Sequence, residues 1–157
     1  MNASTPTLVP MDSAQIRRWL DSGRAQYVAD RIEAGESRSE AEANALASYS
    51  STFPGDIPSP TQRLFDVVLA SEVVGCLWLA PRADAEPDHW WVWDIEIEEN
   101  FRGRGLGRAT MLLAEDAARA EGAKTLGLNV FGGNAVARQL YRSLDYRETA
   151  VQMRKNL

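Results

Sequence analysis

The stretch that most constrains this chain is Arg102-Gly103-Arg104-Gly105-Leu106-Gly107-Arg108, set between a β pattern and a helical one. Before it, Trp91, Val92, Trp93, Ile95 and Ile97 are strand formers, with acids interleaved at Asp94, Glu96 and Glu98. After it, Leu106, Ala109, Thr110, Leu113, Ala117 and Ala120 recur at helical spacing, and Gly122 is placed to close the helix. Glycine lacks Cβ, so backbone N–H groups in such a loop can approach a bulky anion. The first N–H groups of the following helix lack internal partners and sit at the positive end of its dipole. The combination suits phosphate or pyrophosphate, with arginines adding charge from the rim. A tight turn with surface arginines is the plainer alternative. The loop is no Walker A motif, because no Gly-Lys-Ser/Thr closes it, and its glycine spacing and late position fit a dinucleotide fold poorly.

At 157 residues, one domain spanning 1–157 is expected. The net charge of -5 argues against general nucleic-acid binding. No apolar run is long enough to span a bilayer, and no basic-plus-apolar leader is evident. The single cysteine, Cys76, excludes an internal disulfide and reads as a buried structural thiol in a reducing, cytoplasmic setting. With one histidine, His89, and no Cys/His cluster, no metal site is expected.

Along the chain, Leu8-Val9 reads as an edge strand, and Asp12 or Ser13 can cap a first helix that ends near Gly35. Ser37 and Ser39, each with a glutamate three residues on, are capping boxes for a second helix to about Ser50. Phe53 to Pro60 reads as an irregular loop. Leu64–Ala70 and Val73–Ala80 form a hairpin, and Trp90–Glu98 adds a third strand. A helix over Gly105–Glu121, a strand over Thr125–Phe131, a helix capped by Asn134 and ended by Asp145, and a closing strand over Tyr146–Arg154 complete the series.

Arg102-x-x-Gly105-x-Gly107 resembles the acetyl-CoA pyrophosphate signature of the GNAT N-acetyltransferase superfamily, and Leu128–Tyr146 (LNVFGGNAVARQLYRSLDY) is similar to that family's strand, Asn, helix, Tyr block. The close match runs from Trp90 to the C-terminus. The resemblance implies an α/β (α+β) fold: a mixed, mostly antiparallel central sheet flanked by helices, with a strand splay that holds acetyl-CoA. It implies an acetyl-CoA-dependent N-acetyltransferase acting on a primary amine by direct attack. Backbone groups of Ile95 and Ile97 would bond the pantetheine arm, as an added strand does. Gly103, Arg104, Gly105, Leu106, Gly107 and Arg108, entered through Arg102, would hold the pyrophosphate. Asn134 would contact the cofactor near its thiol end, and Tyr141 would protonate the leaving thiolate. A homodimer is one possible assembly, and neither a nucleic acid nor a membrane is expected as a partner.

The chemistry is sound on general grounds. An attacking amine must be neutral, an oxyanion needs an N–H donor, and a phenol can protonate a thiolate. Some relatives place a glutamate base where this chain has Asn129, so the base must come from elsewhere or be water. By alternation Asp94, Glu96 and Glu98 share one face. Glu96 is the base candidate, a solvated or ion-paired strand face being the alternative. For Tyr141 the plainer alternative is a core tyrosine at helical spacing. A catalytically idle acyl-CoA-binding or sensor module is the competing function. Acids at Asp84, Glu86, Asp88, Asp94 and Glu96 beside indoles suit a cationic amine. Peptide amines, polyamines, aminoglycosides and amino acids all remain open as acceptors.

Overall fold

The computed structural model describes residues 5–33, 35–153 and 155–157. Five strands form one sheet in the order β1-β2-β3-β4-β5: β1 is Thr7–Pro10, β2 Arg63–Leu69, β3 Glu72–Pro81, β4 His89–Ile97 and β5 Thr125–Leu128. The first four pair antiparallel, and β5 pairs parallel to β4. The parallel partner requires a crossover, and helix α3, Leu106–Ala120, supplies it. Helices α1, Ser13–Glu33, and α2, Arg38–Thr52, precede β2; α4, Ala135–Arg142, follows β5. Sheet and helices therefore match the mixed, mostly antiparallel architecture expected from the sequence.

Local chemistry sets the boundaries. The Ala14 and Gln15 amides both donate to Asp12 Oδ1 at 2.8 Å, making Asp12 the cap of α1. Ser37 and Glu40 form the reciprocal capping box of α2. Ala70 and Ser71 both have positive φ, 49° and 70°, and turn β2 into β3. Within the expected Phe53–Pro60 loop, Pro54–Asp56 makes one 3-10 turn.

Strand alternation divides the core in two. Val67, Leu77, Leu79 and Val92 face Leu106, Met111, Ala114 and Ala118 of α3 on one side of the sheet. On the other, Leu64 and Trp78 meet Leu20, Trp19 and Phe53 of the α1–α2 layer. Trp78 also donates its indole N–H to Gln62 Oε1 at 2.6 Å.

Two expectations need correction. The strand over Thr125–Phe131 stops at Leu128. The closing strand over Tyr146–Arg154 is not formed: Tyr146–Met153 carries no strand pairing, and Arg154 lies outside the described residues. The physical reason is an ion pair that the β pattern does not reveal. Glu148 accepts from both Arg138 and Arg142, at 2.7 and 2.6 Å, which ties this segment to α4. The Tyr146 amide also donates to the Tyr141 carbonyl at 3.0 Å. The segment borders a hollow of ≈ 870 Å³ beside the outer edge of β5.

Candidate active site

The site begins where two parallel strands separate. β4 and β5 pair from His89↔Thr125 to Val92↔Leu128, and there the pairing ends although β4 runs on to Ile97. Beyond that point the backbones diverge and leave a cleft of ≈ 180 Å³. Trp93, Asp94 and Ile95 line one wall; Asn129, Val130 and Phe131 line the other; Asn134 and Tyr141 close it. The expected splay is present, at the C-terminal end of β4.

A bulge sharpens the geometry. Trp78 pairs with Asp94 and Leu79 with Val92, so Trp93 is an extra residue in β4. A bulged residue leaves the ladder, and the strand bends with it. Alternation is interrupted: Trp93 stacks on Trp78, centroids 5.7 Å apart and planes 28° apart, on the face that Asp94 also occupies. Gly127, paired with Trp91, leaves room for an indole, because a Cβ there would fall 2.2 Å from the Trp91 ring.

The glycine loop opens α3. Gly103 and Gly105 have φ of 74° and 77°, and a Cβ at either would meet nothing within 4 Å. Backbone conformation, not crowding, therefore selects glycine. Gly105 caps α3 without any side-chain bond, and the first helical donor is the Ala109 amide to the Gly105 carbonyl at 3.1 Å. The Leu106, Gly107 and Arg108 amides precede it at the positive end of the helix.

All three arginines have local partners. Arg102 Nε donates to the Ile97 carbonyl at 2.8 Å, and its Nη2 lies 3.8 Å from Glu96. Arg104 donates to the Asn100 carbonyl at 2.9 Å. Arg108 donates to Ser143 Oγ at 2.7 Å, joining the start of α3 to the end of α4.

Of the residues expected to act, Ile95, Asn134 and Tyr141 meet at the cleft. The Asn134 side chain accepts from the Ala137 amide at 3.1 Å and so caps α4. Tyr141 is half-buried, and burial raises its phenol above the ordinary value, so the proton stays on at neutral pH. Glu96 does not line the cleft; its side chain is 63% exposed beside Arg102. Asp94 does line it. Burial first, then the Glu96 charge, raises the Asp94 carboxyl above its ordinary range. Burial, with Asp94 and Glu96 adding to it, pushes the Cys76 thiol up to about 12, as befits a structural thiol. The sequence signalled that Asp94 and Glu96 share a face, but not that the bulge would set Trp93 beside Asp94. Among the described residues, no helix is long and apolar enough to cross a membrane.

Known proteins share this fold. The uncharacterized N-acetyltransferase YycN of Bacillus subtilis is 30% identical over 160 residues, covering 98% of this chain and 99% of that protein. The YycN crystal structure superposes with a TM-score of 0.83 at 27% identity, again over 98% and 99% of the two chains. The aminoglycoside N-acetyltransferase AAC(6')-Iy, solved with CoA, has the same fold, with a TM-score of 0.62 at 12% identity over 98% of this chain and 95% of that one. A family model described as the acetyltransferase (GNAT) family matches residues 27–146. With splay, bulge, glycine loop and family match in agreement, this chain belongs to the acetyltransferase (GNAT) family and is an acyltransferase.

Proposed function

We propose that residues 1–157 act as one domain that moves the acetyl group of acetyl-CoA directly onto a primary amine, in the cytoplasm. The observation that carries this reading is the cleft between β4 and β5, which has a bulged strand along one wall and a protonated phenol where it closes. The free backbone of Ile95 and Ile97 receives the pantetheine arm as a strand would. The Ile97 carbonyl already accepts from Arg102, so the incoming amide shares it through its second lone pair. The amides from Gly103 to Arg108 take the pyrophosphate, and Asn134 flanks the thiol end.

In the reaction, the amine nitrogen bonds to the thioester carbon and the C–S bond breaks. The thiolate takes the Tyr141 proton, and the phenolate regains one from solvent. The amine's surplus proton leaves through water to the carboxylates at the rim, Glu96 among them. An amide released from the ladder at the bulge is placed to stabilise the oxyanion.

The test is direct. Acetyl-CoA should raise the melting temperature in a concentration-dependent way, and an amine panel should release free CoA thiol in proportion to acetylated product. Absence of thermal protection would refute acetyl-CoA use. Protection without turnover across the panel would point to an idle binding module.

A further inference from the structure

The carboxylate of Asp94 is unbalanced. Asp56, Glu36, Glu121, Asp88 and Glu148 each lie against an arginine or lysine. Asp94 has no such partner among the described residues. Its neighbours are the Cys76 thiol, 3.8 Å from Oδ2, the Trp19 indole and the like charge of Glu96. A half-buried carboxylate without a cation is costly unless something supplies the charge. The surrounding wall is aromatic. Trp93, 47% exposed, stacks on Trp78; Trp78 meets Trp19 edge-on at 5.4 Å. Both Asp94 and Trp93 open into the cleft that Tyr141 closes.

We propose that Asp94 and the free face of Trp93 hold the acceptor, and that the acceptor is a monocationic primary amine with an apolar or aromatic flank. The inference rests on the acetyl-transfer reading for the reaction, but not for the binding. The carboxylate accepts hydrogen bonds from the ammonium, and the indole attracts it through its π face. The apolar flank lies along the tryptophans. One charge is specified rather than several, because Glu96, the next carboxylate on this face, already sits beside Arg102. Among the described residues Asp94 is the one acid lining the cleft, so a polycation would find a single carboxylate there for its several charges. Before attack the bound ammonium loses one proton through water to solvent, and the neutral amine left at the Asp94 position is adjacent to the bulge, where the thioester carbon must lie for Tyr141 to reach its sulfur.

The experiment uses the whole chain and two probes, phenethylamine and its neutral counterpart phenethyl alcohol. Each is titrated against intrinsic tryptophan fluorescence at pH 7 without cofactor. Phenethylamine should bind about tenfold or more tightly than the alcohol, and Asp94→Asn should erase that preference. Trp93→Leu, at an exposed position, should weaken phenethylamine about tenfold and serves if Asp94→Asn does not fold. With acetyl-CoA present, phenethylamine should show a KM at least about tenfold below those of spermidine and kanamycin, and Asp94→Asn should raise that KM. A purely structural Asp94 would lower the melting temperature and leave the ammonium-over-alcohol preference intact; that result overturns the proposal, as does a preference for the polycations. Failure of acetyl-CoA to protect the parent sinks the acetyl-transfer reading separately, since the fluorescence titration needs no cofactor.

Discussion

Tyr141→Phe separates chemistry from packing because the structure gives the hydroxyl nothing else to do. The ring lies 6.0 Å from Tyr146 at an interplanar angle of 59° and packs on the α3 side of the core. Phenylalanine keeps all of that. Among the described residues the hydroxyl has no hydrogen-bond partner, so its removal leaves no donor or acceptor stranded. The expected stability change is within about 0.5 kcal/mol, or about 1–2 °C in melting temperature for a chain of this size. The kinetic expectation is different in kind. Loss of a positioned acid should lower kcat about ten- to a thousandfold, equivalent to roughly 1.4–4 kcal/mol at the barrier. Acetyl-CoA protection should be unchanged. Burial raises the phenol's pKa, so the acid form persists to higher pH than in water and the parent's alkaline limb should lie above the ordinary tyrosine range. The assay is CoA release with a confirmed acceptor from about pH 6 to about pH 11, corrected for spontaneous thioester hydrolysis, beside a thermal melt. A kcat within about twofold of the parent would remove Tyr141 from the mechanism and leave water as the acid.

Three further outcomes are expected. Gly105→Asp puts a carboxylate at the open start of α3 in a backbone at φ 77°; acetyl-CoA should no longer protect it in a thermal melt, and the added strain should cost the unliganded protein about 1–2 kcal/mol of stability. Met111→Ala, at a fully buried position facing the sheet, should cost about 2–5 kcal/mol, read as a fall of about 5–15 °C in melting temperature. Cys76, whose thiol is held at about 12, should react with iodoacetamide at pH 8 about a thousandfold more slowly than an ordinary thiol, because the thiolate is that much rarer; urea should restore the normal rate.

Much of the fold was legible because local chemistry and tertiary need agree in it. The Ser37–Glu40 box, the Asn134 cap and the Arg102–Arg108 loop each carry their own reason, and each sits where its residues imply. The misses are places where a distant contact decides. Thr149, Val151 and Met153 alternate like a strand, yet Glu148 is tied to two arginines on α4. Thr125 to Phe131 is apolar enough as a whole to run through a sheet, but Asn129 to Phe131 form a wall of the cleft instead. Within the site, the motif pointed to Tyr141 and Asn134, and both line the cleft. The pairing of Trp93 with Asp94 was not, because one extra residue in β4 changes which side chains share a face. Glu96 looked equivalent to Asp94 by alternation; Arg102, six residues on, makes the two different.

The shortness of β5 has an effect on the protein's life in a crowded solution. Its four residues span about 13 Å, and among the described residues β4 is its one neighbour in the sheet. A long, flat outer strand invites other chains to stack against it and seeds aggregation. Here the template ends after Leu128, with Gly127, a weak strand former, in its middle. Early termination of one strand therefore makes the opening a substrate can enter and also denies foreign strands a rail long enough to grip.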